Sequence, residues 1–351
     1  MAKHKRQPKK VLPLVSVCTP TFNRRPFIPS MLKCFNHQTY PKNRIEWIIL
    51  DDGTDKIEDL VKDHPNVKYY AYDDKLTLGK KRNLMHEKAT GDIIVYMDDD
   101  DYYPPTRISH AVTKLKNSQY LLAGASEIYI YFKHLSQLWQ FGPYGSNHAT
   151  AGTFAFKKEL LLITKYDDDI CFAEERSFLK SYSIPMVQLD PKHTILVFSH
   201  TQNTFDKKEL VASGPTQYSK ISDKIIPYFV HDSSITKWFM EDIDTELDLY
   251  KPGEPEMKPD VVVQMHKRNK LLNARQQSQG AEASFMLHQS DKEPIMISPQ
   301  QISQILNKQQ NDIRLLKNTI AEILNSLETE KSRNKLLADT IDKLTISCDN
   351  V

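Results

Sequence analysis

The first hundred residues alternate between short apolar runs and amphipathic segments. The apolar runs are rich in β-branched residues at successive positions, so they predict strands buried on both faces, as in a parallel sheet covered by helices. Each run is followed by a polar loop and a helical pattern, which predicts a βαβ series and an α/β fold. The predicted strands are 14–18, 47–50, 67–71 and 93–97, and the predicted helices are 28–38, 56–64 and 82–88.

Further along the chain the pattern changes. A helix is predicted over 104–116, because its Pro-Pro start is tolerated in a first turn. Strands rich in Tyr and Phe follow as far as Phe156, and another strand is predicted at 195–198. Residues 206–250 have a mixed helical pattern and are expected to pack on the preceding domain. Residues 251–299 are rich in Pro, Gln, Ser and charge, which predicts a linker with at most a short helix.

Near the C-terminus, apolar residues recur in alternating steps of three and four, which predicts a coiled coil over 300–346. Asn334 among Ile-rich a positions favours a parallel homodimer in fixed register, whereas Glu330 at a d position weakens the seam and leaves a trimer or a marginal dimer open. An amphipathic helix lying on the N-terminal domain is the alternative. The a positions are Ile313, Ile320, Leu327, Asn334 and Ile341, and the d positions are Leu316, Ile323, Glu330, Leu337 and Leu344.

The composition argues against several classes of partner. Lys and Arg total 47 against 45 Asp and Glu, so the net charge of +2 gives no overall attraction to nucleic acid or to membranes. No segment approaches the roughly 20 apolar residues that span a bilayer, and the basic residues 1–12 predict a disordered tail. The four cysteines lie far apart, and Cys18 falls in an apolar strand, which predicts a reducing, cytoplasmic location.

Candidate chemistry is concentrated where the predicted strands end. The strand 93–97 runs into four consecutive aspartates, Asp98 to Asp101. Ligands of parallel sheets bind at the carboxyl ends of strands, and carboxylates there suit Mg²⁺ or Mn²⁺ together with substrate phosphates; a solvated acidic loop is the alternative. Asp52 is suited to hydrogen bonds from a nucleoside, and Arg82 to a diphosphate. Neither a GxGxxG nor a Walker motif is present.

Together these motifs resemble the family 2 glycosyltransferases with the GT-A fold. The resemblance covers residues 13–205. It implies a catalytic domain with a Rossmann-like, mostly parallel central sheet and flanking helices, and an inverting transfer of a sugar from a nucleotide-sugar donor, of the hexosyltransferase type. The segments that carry it, in the family's order and spacing, are VSVCTPTFNR (15–24), IILDDG (48–53), GKKRN (79–83), ATGD (89–92) and YMDDDD (96–101).

The resemblance also implies roles for individual residues. Asp52 would recognise the uridine of a UDP-sugar, and Arg82 would contact the nucleotide or its diphosphate. Asp98 and Asp99 would lie against the donor. Asp100, with Asp98 in the family's Asp-x-Asp motif, would ligate Mn²⁺ or Mg²⁺ and so stabilise the departing diphosphate. The residues expected to flank the nucleotide base are Pro20, Phe22, Asn23 and Arg24.

Two acidic residues and a histidine complete the expected site. Glu174 and Glu175 stand where the family commonly has Glu-Asp. Glu175 takes the position of the general base that deprotonates the acceptor hydroxyl, with Glu174 as its neighbour; the alternative is a pair of ordinary acids in a helix's first turn. His200 matches a histidine that reaches the metal or the diphosphate in several related enzymes, unless it is an ordinary surface histidine.

The expected partners are therefore a nucleotide-sugar donor and a carbohydrate or glycoconjugate acceptor. Trp139 or Tyr144 would stack on the acceptor, or else pack across strands. A catalytically inactive protein that binds a nucleotide sugar, or a coiled-coil scaffold, is the alternative function. The combination of Asp98 and Asp100 with Glu175 argues against it, because an inactive site needs neither a metal nor a base.

Overall fold

The structure is a computed structural model. The chain divides into two compact units, residues 1–265 and 266–351. All but the last two residues of the predicted basic tail lie outside the described residues. The structure describes residues 11–203, 207–212, 214–280, 285–289, 292–297, 301–306, 308–309, 312–313, 315–316, 319–320, 323–324, 326–327, 329–331 and 333–334.

Strands and helices alternate over the first hundred residues, as the sequence predicts. Helix α3 begins four residues earlier than predicted, because the side chain of Thr77 caps it by accepting a hydrogen bond from the backbone N–H of Lys80 (3.4 Å). The elements are β1 (Val15–Thr21), α1 (Ile28–Asn36), β2 (Ile45–Asp51), α2 (Glu58–Val61), β3 (Val67–Ala71), α3 (Leu78–Lys88) and β4 (Ile93–Tyr96).

The later elements are shorter. In chain order they are α4 (Arg107–Lys116), β5 (Leu122–Gly124), β6 (Ile128–Phe132), β7 (Gln137–Phe141), β8 (Ala155–Lys157), α5 (Glu175–Phe178), β9 (Met186–Gln188), β10 (Val197–Ser199), β11 (Ser219–Ile221), α6 (Ser233–Lys237), α7 (Ile243–Leu249), α8 (Pro259–Gly280), β12 (Phe285–Gln289) and β13 (Lys292–Ile297). Within the described residues, no helix has both the length and the apolar composition needed to cross a membrane.

The central sheet has seven strands in the order β3-β2-β1-β4-β8-β5-β9. Only β8 runs antiparallel to its neighbours, so the sheet is mostly parallel, and the α/β prediction is confirmed. Every residue of β2 and β4 is buried, as expected for strands covered on both faces. A second sheet, in the order β10-β6-β7-β11, packs its aromatic residues into the same core.

Described residues within 207–250, among them Ile226, Phe229 and Phe239, pack on this core. A π-helical turn, Trp238–Asp242, joins α6 to α7, and Phe239 stacks on Phe198 of β10 with ring centroids 4.3 Å apart. The described residues within 251–299 include the 22-residue helix α8 and the antiparallel pair β12–β13, which is more regular structure than the composition predicts. Pro259 occupies the first position of α8, where proline stabilises a helix rather than breaking it.

The predicted coiled-coil region is described in part. All described residues within 301–334 are helical. The heptad residues Ile313, Leu316, Ile320, Ile323 and Leu327 are exposed by 51 to 61%, which leaves an apolar face of this helix open to solvent. Leu337, Ile341 and Leu344 lie outside the described residues, so the coiled coil stays a prediction.

One buried carboxylate joins the amino ends of the parallel strands. Glu46 of β2 accepts hydrogen bonds from the Ser16 hydroxyl of β1 and from the backbone N–H groups of Thr90 (2.6 Å) and Gly91 (3.2 Å), which precede β4. It also pairs with Lys68 of β3 at 2.6 Å. Burial opposes its ionisation, but Lys68, Ser16 and Thr90 outweigh that effect and lower the pKa of Glu46 to about 2.

Glu46→Gln should therefore destabilise the fold in a pH-dependent way. A carboxylate whose folded-state pKa lies below its unfolded value of about 4.3 stabilises the protein above that value, by about 2–3 kcal/mol here. This contribution is lost as the pH falls toward 2. Urea unfolding should show the full deficit at pH 7 and little at pH 2.5. Glu58→Gln, at an exposed site in α2, is the control; a pH-independent deficit for Glu46→Gln would contradict the assignment.

Candidate functional site

The candidate site lies where the connections of the central sheet diverge. From β1 the chain crosses toward β2, whereas from β4 it passes to the β8-β5-β9 side. Such a switch point leaves a crevice at the carboxyl ends of the two strands, where open α/β sheets bind their ligands. The residues that follow β1 and β4 are Phe22 to Arg24 and Asp98 to Asp101.

Asn23 fixes the shape of the loop after β1. Its φ of 51° is left-handed, a conformation that asparagine tolerates better than most residues. Its side-chain oxygen accepts a hydrogen bond from the backbone N–H of Asp55 (3.0 Å), and its amide nitrogen donates to the carbonyl oxygen of Pro252 (2.7 Å). The loop is thereby tied both to the end of β2 and to a segment far along the chain.

Arg24 and His200 converge on the aspartates after β4. The Arg24 guanidinium lies 3.3 Å from Asp100 and 3.7 Å from Asp99, and it also donates to the carbonyl oxygen of Gln202 (2.7 Å). Nε2 of His200 lies 3.2 Å from the same oxygen of Asp100. The structure therefore brings together Arg24, Asp99, Asp100 and His200, four of the predicted site residues.

Burial and neighbouring charges shift the pKa values of these aspartates in opposite directions. Burial opposes ionisation of Asp100, but the hydrogen bond with His200 and the charge of Arg24 hold its pKa well below the usual value. Burial raises the pKa of Asp99 to about 7 and that of Asp101 well above its usual value. Burial also lowers the pKa of His200 to about 3, so its imidazole is neutral.

Arg82 joins a second pair of predicted residues. Its guanidinium lies 3.1 Å from Asp98 and 3.1 Å from Glu174, and it sits over the ring of Tyr96. Burial acts to lower the pKa of Arg82, but the two carboxylates raise it well above its usual value. Glu174 is buried by this contact, whereas Glu175 opens the short helix α5 and is half-buried.

The carboxylate of Asp52 is engaged within the protein. One oxygen accepts from the ammonium of Lys81 (2.5 Å) and the other from the backbone N–H of Leu76 (2.6 Å). Burial lowers the pKa of Lys81, and its pairing with Asp52 opposes that effect. The pair holds α3 against the end of β2, so Asp52 supports the wall of the site.

An open cavity occupies the crevice. Of the predicted site residues, Pro20, Phe22, Arg24, Arg82, Asp98, Asp99 and Asp100 line it, whereas Asn23, Asp52, Glu174, Glu175 and His200 do not. The cavity is also lined by residues that sequence reasoning did not single out, among them Lys75, Lys258, Asp260 and Val261. No signal marks the last three, because the stretch around them has the composition of a linker.

The two aromatic candidates differ in their surroundings. Trp139 is 3% exposed and packs on Phe132 and Phe141 within the second sheet. This is packing across strands, the alternative to stacking on the acceptor. Tyr144 is 40% exposed and lies beside His148 and Tyr218.

Cys18, Cys34 and Cys171 are buried free thiols.

The described residues contain no group of three or more His, Cys, Asp or Glu side chains arranged to hold a metal ion. Asp100 and His200 are adjacent, but Asp98 is turned toward Arg82. The polar atoms buried here without a hydrogen-bond partner include Oδ2 of Asp99, Oδ1 of Asp101 and Nδ1 of His200.

Comparison with known proteins shows which protein family part of this chain matches. Residues 16–179 match the model of "Glycosyl transferase family 2". The chain is 30% identical over 92 residues to the Poly(ribitol-phosphate) beta-N-acetylglucosaminyltransferase TarS of Staphylococcus aureus, which is 25% of this chain and 16% of that protein. It is 23% identical over 251 residues to a probable glycosyltransferase of Sulfolobus acidocaldarius, which is 65% of this chain and 50% of that protein.

Solved structures include the mannosyltransferase PcManGT from Pyrobaculum calidifontis in complex with GDP-Man and Mn²⁺, at 14% identity and a TM-score of 0.43, covering 72% of this chain and 86% of that one. The chain thus spans at most half the length of the two sequence relatives.

Proposed function

We propose that the protein transfers a sugar from a nucleotide-sugar donor to a hydroxyl group of an acceptor, with inversion at the anomeric carbon. The premise is that residues 16–179 form a domain of glycosyl transferase family 2. The observation that carries the proposal is the cavity at the β1–β4 switch point, which Arg24, Arg82 and Asp98 to Asp100 line. Its arginines offer positive charge for the diphosphate of a nucleotide, and its aspartates offer negative charge for a metal ion bound to that diphosphate.

The donor would lie along the ends of β1 and β4. Pro20 and Phe22 give the cavity an apolar wall for the base, and Asn23 and Arg24 shape the loop beside it. Asp52, held by Lys81, supports the nucleoside side of the cavity. A UDP-sugar is the donor we propose, on the resemblance of Asp52 to the family's uridine-binding position.

The acidic cluster suits a divalent cation. Mg²⁺ and Mn²⁺ favour oxygen ligands, and Mg²⁺ commonly takes only one or two protein carboxylates and completes its shell with water and substrate phosphates. Asp100 with His200 would supply the protein ligands, with Asp98 beside them. Asp99 and Asp101 in the same run each have an oxygen without a hydrogen-bond partner. The cation, when bound, stabilises the charge on the departing diphosphate.

The chain's own residues supply the rest of the reaction. Glu175 accepts the proton of the acceptor hydroxyl, whose oxygen forms a bond to the anomeric carbon as the bond to the diphosphate oxygen breaks and its electron pair leaves with the diphosphate. Glu174 is held by Arg82, and Glu175 is the candidate base because it stands at the position of the base in the family's pattern. Arg82 also pairs with Asp98, so it holds the acidic start of this helix beside the aspartates after β4.

We further propose that residues 300–346 associate as a homodimeric coiled coil. The exposed heptad residues of the described helix support it, since an apolar face of this kind is stabilised by burial against a partner.

Asp100→Asn should lose metal-dependent donor binding and turnover together. The change removes the charge of a proposed metal ligand while keeping its shape, so we expect donor affinity to fall at least about tenfold and turnover at least about 100-fold. Nucleoside diphosphate release from UDP-, GDP- and TDP-sugars, with Mn²⁺, Mg²⁺ or chelator, measures both. Asp63→Asn at an exposed site is the control. Equal release in chelator and in Mn²⁺ would contradict the metal proposal.

Glu175→Gln should separate binding from chemistry. Glutamine cannot accept the hydroxyl proton, so transfer should fall by about 10²–10⁴-fold while the donor dissociation constant stays unchanged. Transfer to an acceptor and calorimetric donor binding measure the two quantities. Glu159→Gln at an exposed site serves as control; full activity of Glu175→Gln would remove Glu175 from the mechanism.

Removal of residues 300–351 should yield a monomer that still binds donor, because the cavity residues lie before this region. Light scattering should give a dimer mass for the full chain and a monomer mass for the truncated one. Ile320→Asp in the full chain should also dissociate the dimer, since it places a charge in the proposed seam. The same subunit count in all three proteins would refute the coiled coil.

A further inference from the structure

A segment beyond the family domain reaches the donor cavity. We call residues 252–261 the covering segment; three of its members, Lys258, Asp260 and Val261, line the cavity. The match to the family ends at residue 179, so this segment is an addition to the matched domain. Its side chains meet those from the ends of β1 and β4 in one cavity.

The covering segment is fastened at both ends. At its start, Asn23 donates to the carbonyl oxygen of Pro252 (2.7 Å). Gly253 approaches so closely that a Cβ there would lie 2.9 Å from the backbone oxygen of Asn23. At its far end, Asp260 pairs with Lys75. The segment is thus held by the loop after β1, which belongs to the proposed donor site.

The cations around the cavity are not equivalent. Four of the five that line it have carboxylate partners: Arg24 with Asp99 and Asp100, Arg82 with Asp98 and Glu174, Lys81 with Asp52, and Lys75 with Asp260. The fifth, Lys258, is 5% exposed, and its ammonium nitrogen has no hydrogen-bond partner.

An unpaired ammonium at this depth is unfavourable without an anion. Burial of a charge is costly unless it is paired and hydrogen-bonded, and burial lowers the pKa of Lys258 to about 6, an effect that the charge of Arg24 reinforces and those of Asp100 and Asp99 oppose. The covering segment nevertheless places this side chain on an open cavity rather than in the closed core. An anionic ligand would supply the partner that the protein does not.

We propose that Lys258 binds the diphosphate of the nucleotide donor, and that the covering segment completes the donor site from outside the family domain. This assignment rests on the proposed function. Lysine suits the role because its ammonium is a compact charge with three donors, able to follow a diphosphate from bound donor to released product. Lys258 thereby adds to the positive charge of Arg24 and Arg82, which are also engaged by carboxylates.

The test compares nucleoside diphosphates with nucleosides. Calorimetry of the full-length protein with Mn²⁺ would measure binding of UDP, GDP and TDP and of the matching nucleosides. Lys258→Met keeps the length of the side chain and removes its charge, so we expect affinity for the bound diphosphate to fall about 10–100-fold, the size of one charge-assisted hydrogen bond. Affinity for the nucleoside should stay within about twofold, and Lys258→Arg should recover most of the loss.

Lys251→Met is the matched control, because its exposed side chain pairs with Glu254 and does not line the cavity. If the wild type binds a diphosphate and Lys258→Met binds it equally well, the inference is wrong and the proposed function stands. Equal losses for diphosphate and nucleoside would also overturn it, since that pattern reports a collapsed cavity. If Lys258→Met does not fold, Lys258→Gln is judged by the same ratio. A wild type that binds no nucleotide would refute the proposed function itself.

Discussion

The structure depends on how four consecutive aspartates are accommodated at the end of a buried strand. Like charges at this spacing raise one another's pKa values unless cations neutralise them. Here Arg24, in the loop after β1, pairs with Asp100, and Arg82, in α3, pairs with Asp98. Each arginine also binds a distant part of the chain, Gln202 in one case and Glu174 in the other. The acidic run thereby holds together the loops that form the site. Two of its carboxylates, Asp99 and Asp101, each retain an oxygen that accepts no hydrogen bond from the protein.

Much of the first hundred residues could be predicted from local pattern. The strand at 67–71 has the predicted bounds, and the strand 93–97 lies where the apolar run placed it. These predictions succeed because a strand buried on both faces leaves a continuous apolar run in the sequence. The position of the acidic residues follows for the same reason, since the chain direction of a parallel strand fixes which edge of the sheet its C-terminal residues reach.

Other parts depend on tertiary contacts that leave no local signal. Asp52 ends its strand as predicted, but its carboxylate is taken up by Lys81 on the next helix, a pairing set by how α3 packs. Lys258 lies in a stretch whose proline and charge content predicts a linker, yet Asn23 fixes the segment beside the cavity through Pro252, 229 residues later in the chain. A site assembled from both ends of a 265-residue unit cannot be seen in a window of ten or twenty residues.

In the function proposed here, a metal-bound nucleoside diphosphate occupies the crevice between β1 and β4. Anomalous diffraction from crystals grown with Mn²⁺ and UDP tests it directly. We expect one manganese peak at Asp100 or His200, with the diphosphate between it and Lys258. A manganese peak remote from the acidic run, or a diphosphate outside the cavity that Arg24 and Lys258 line, would contradict it.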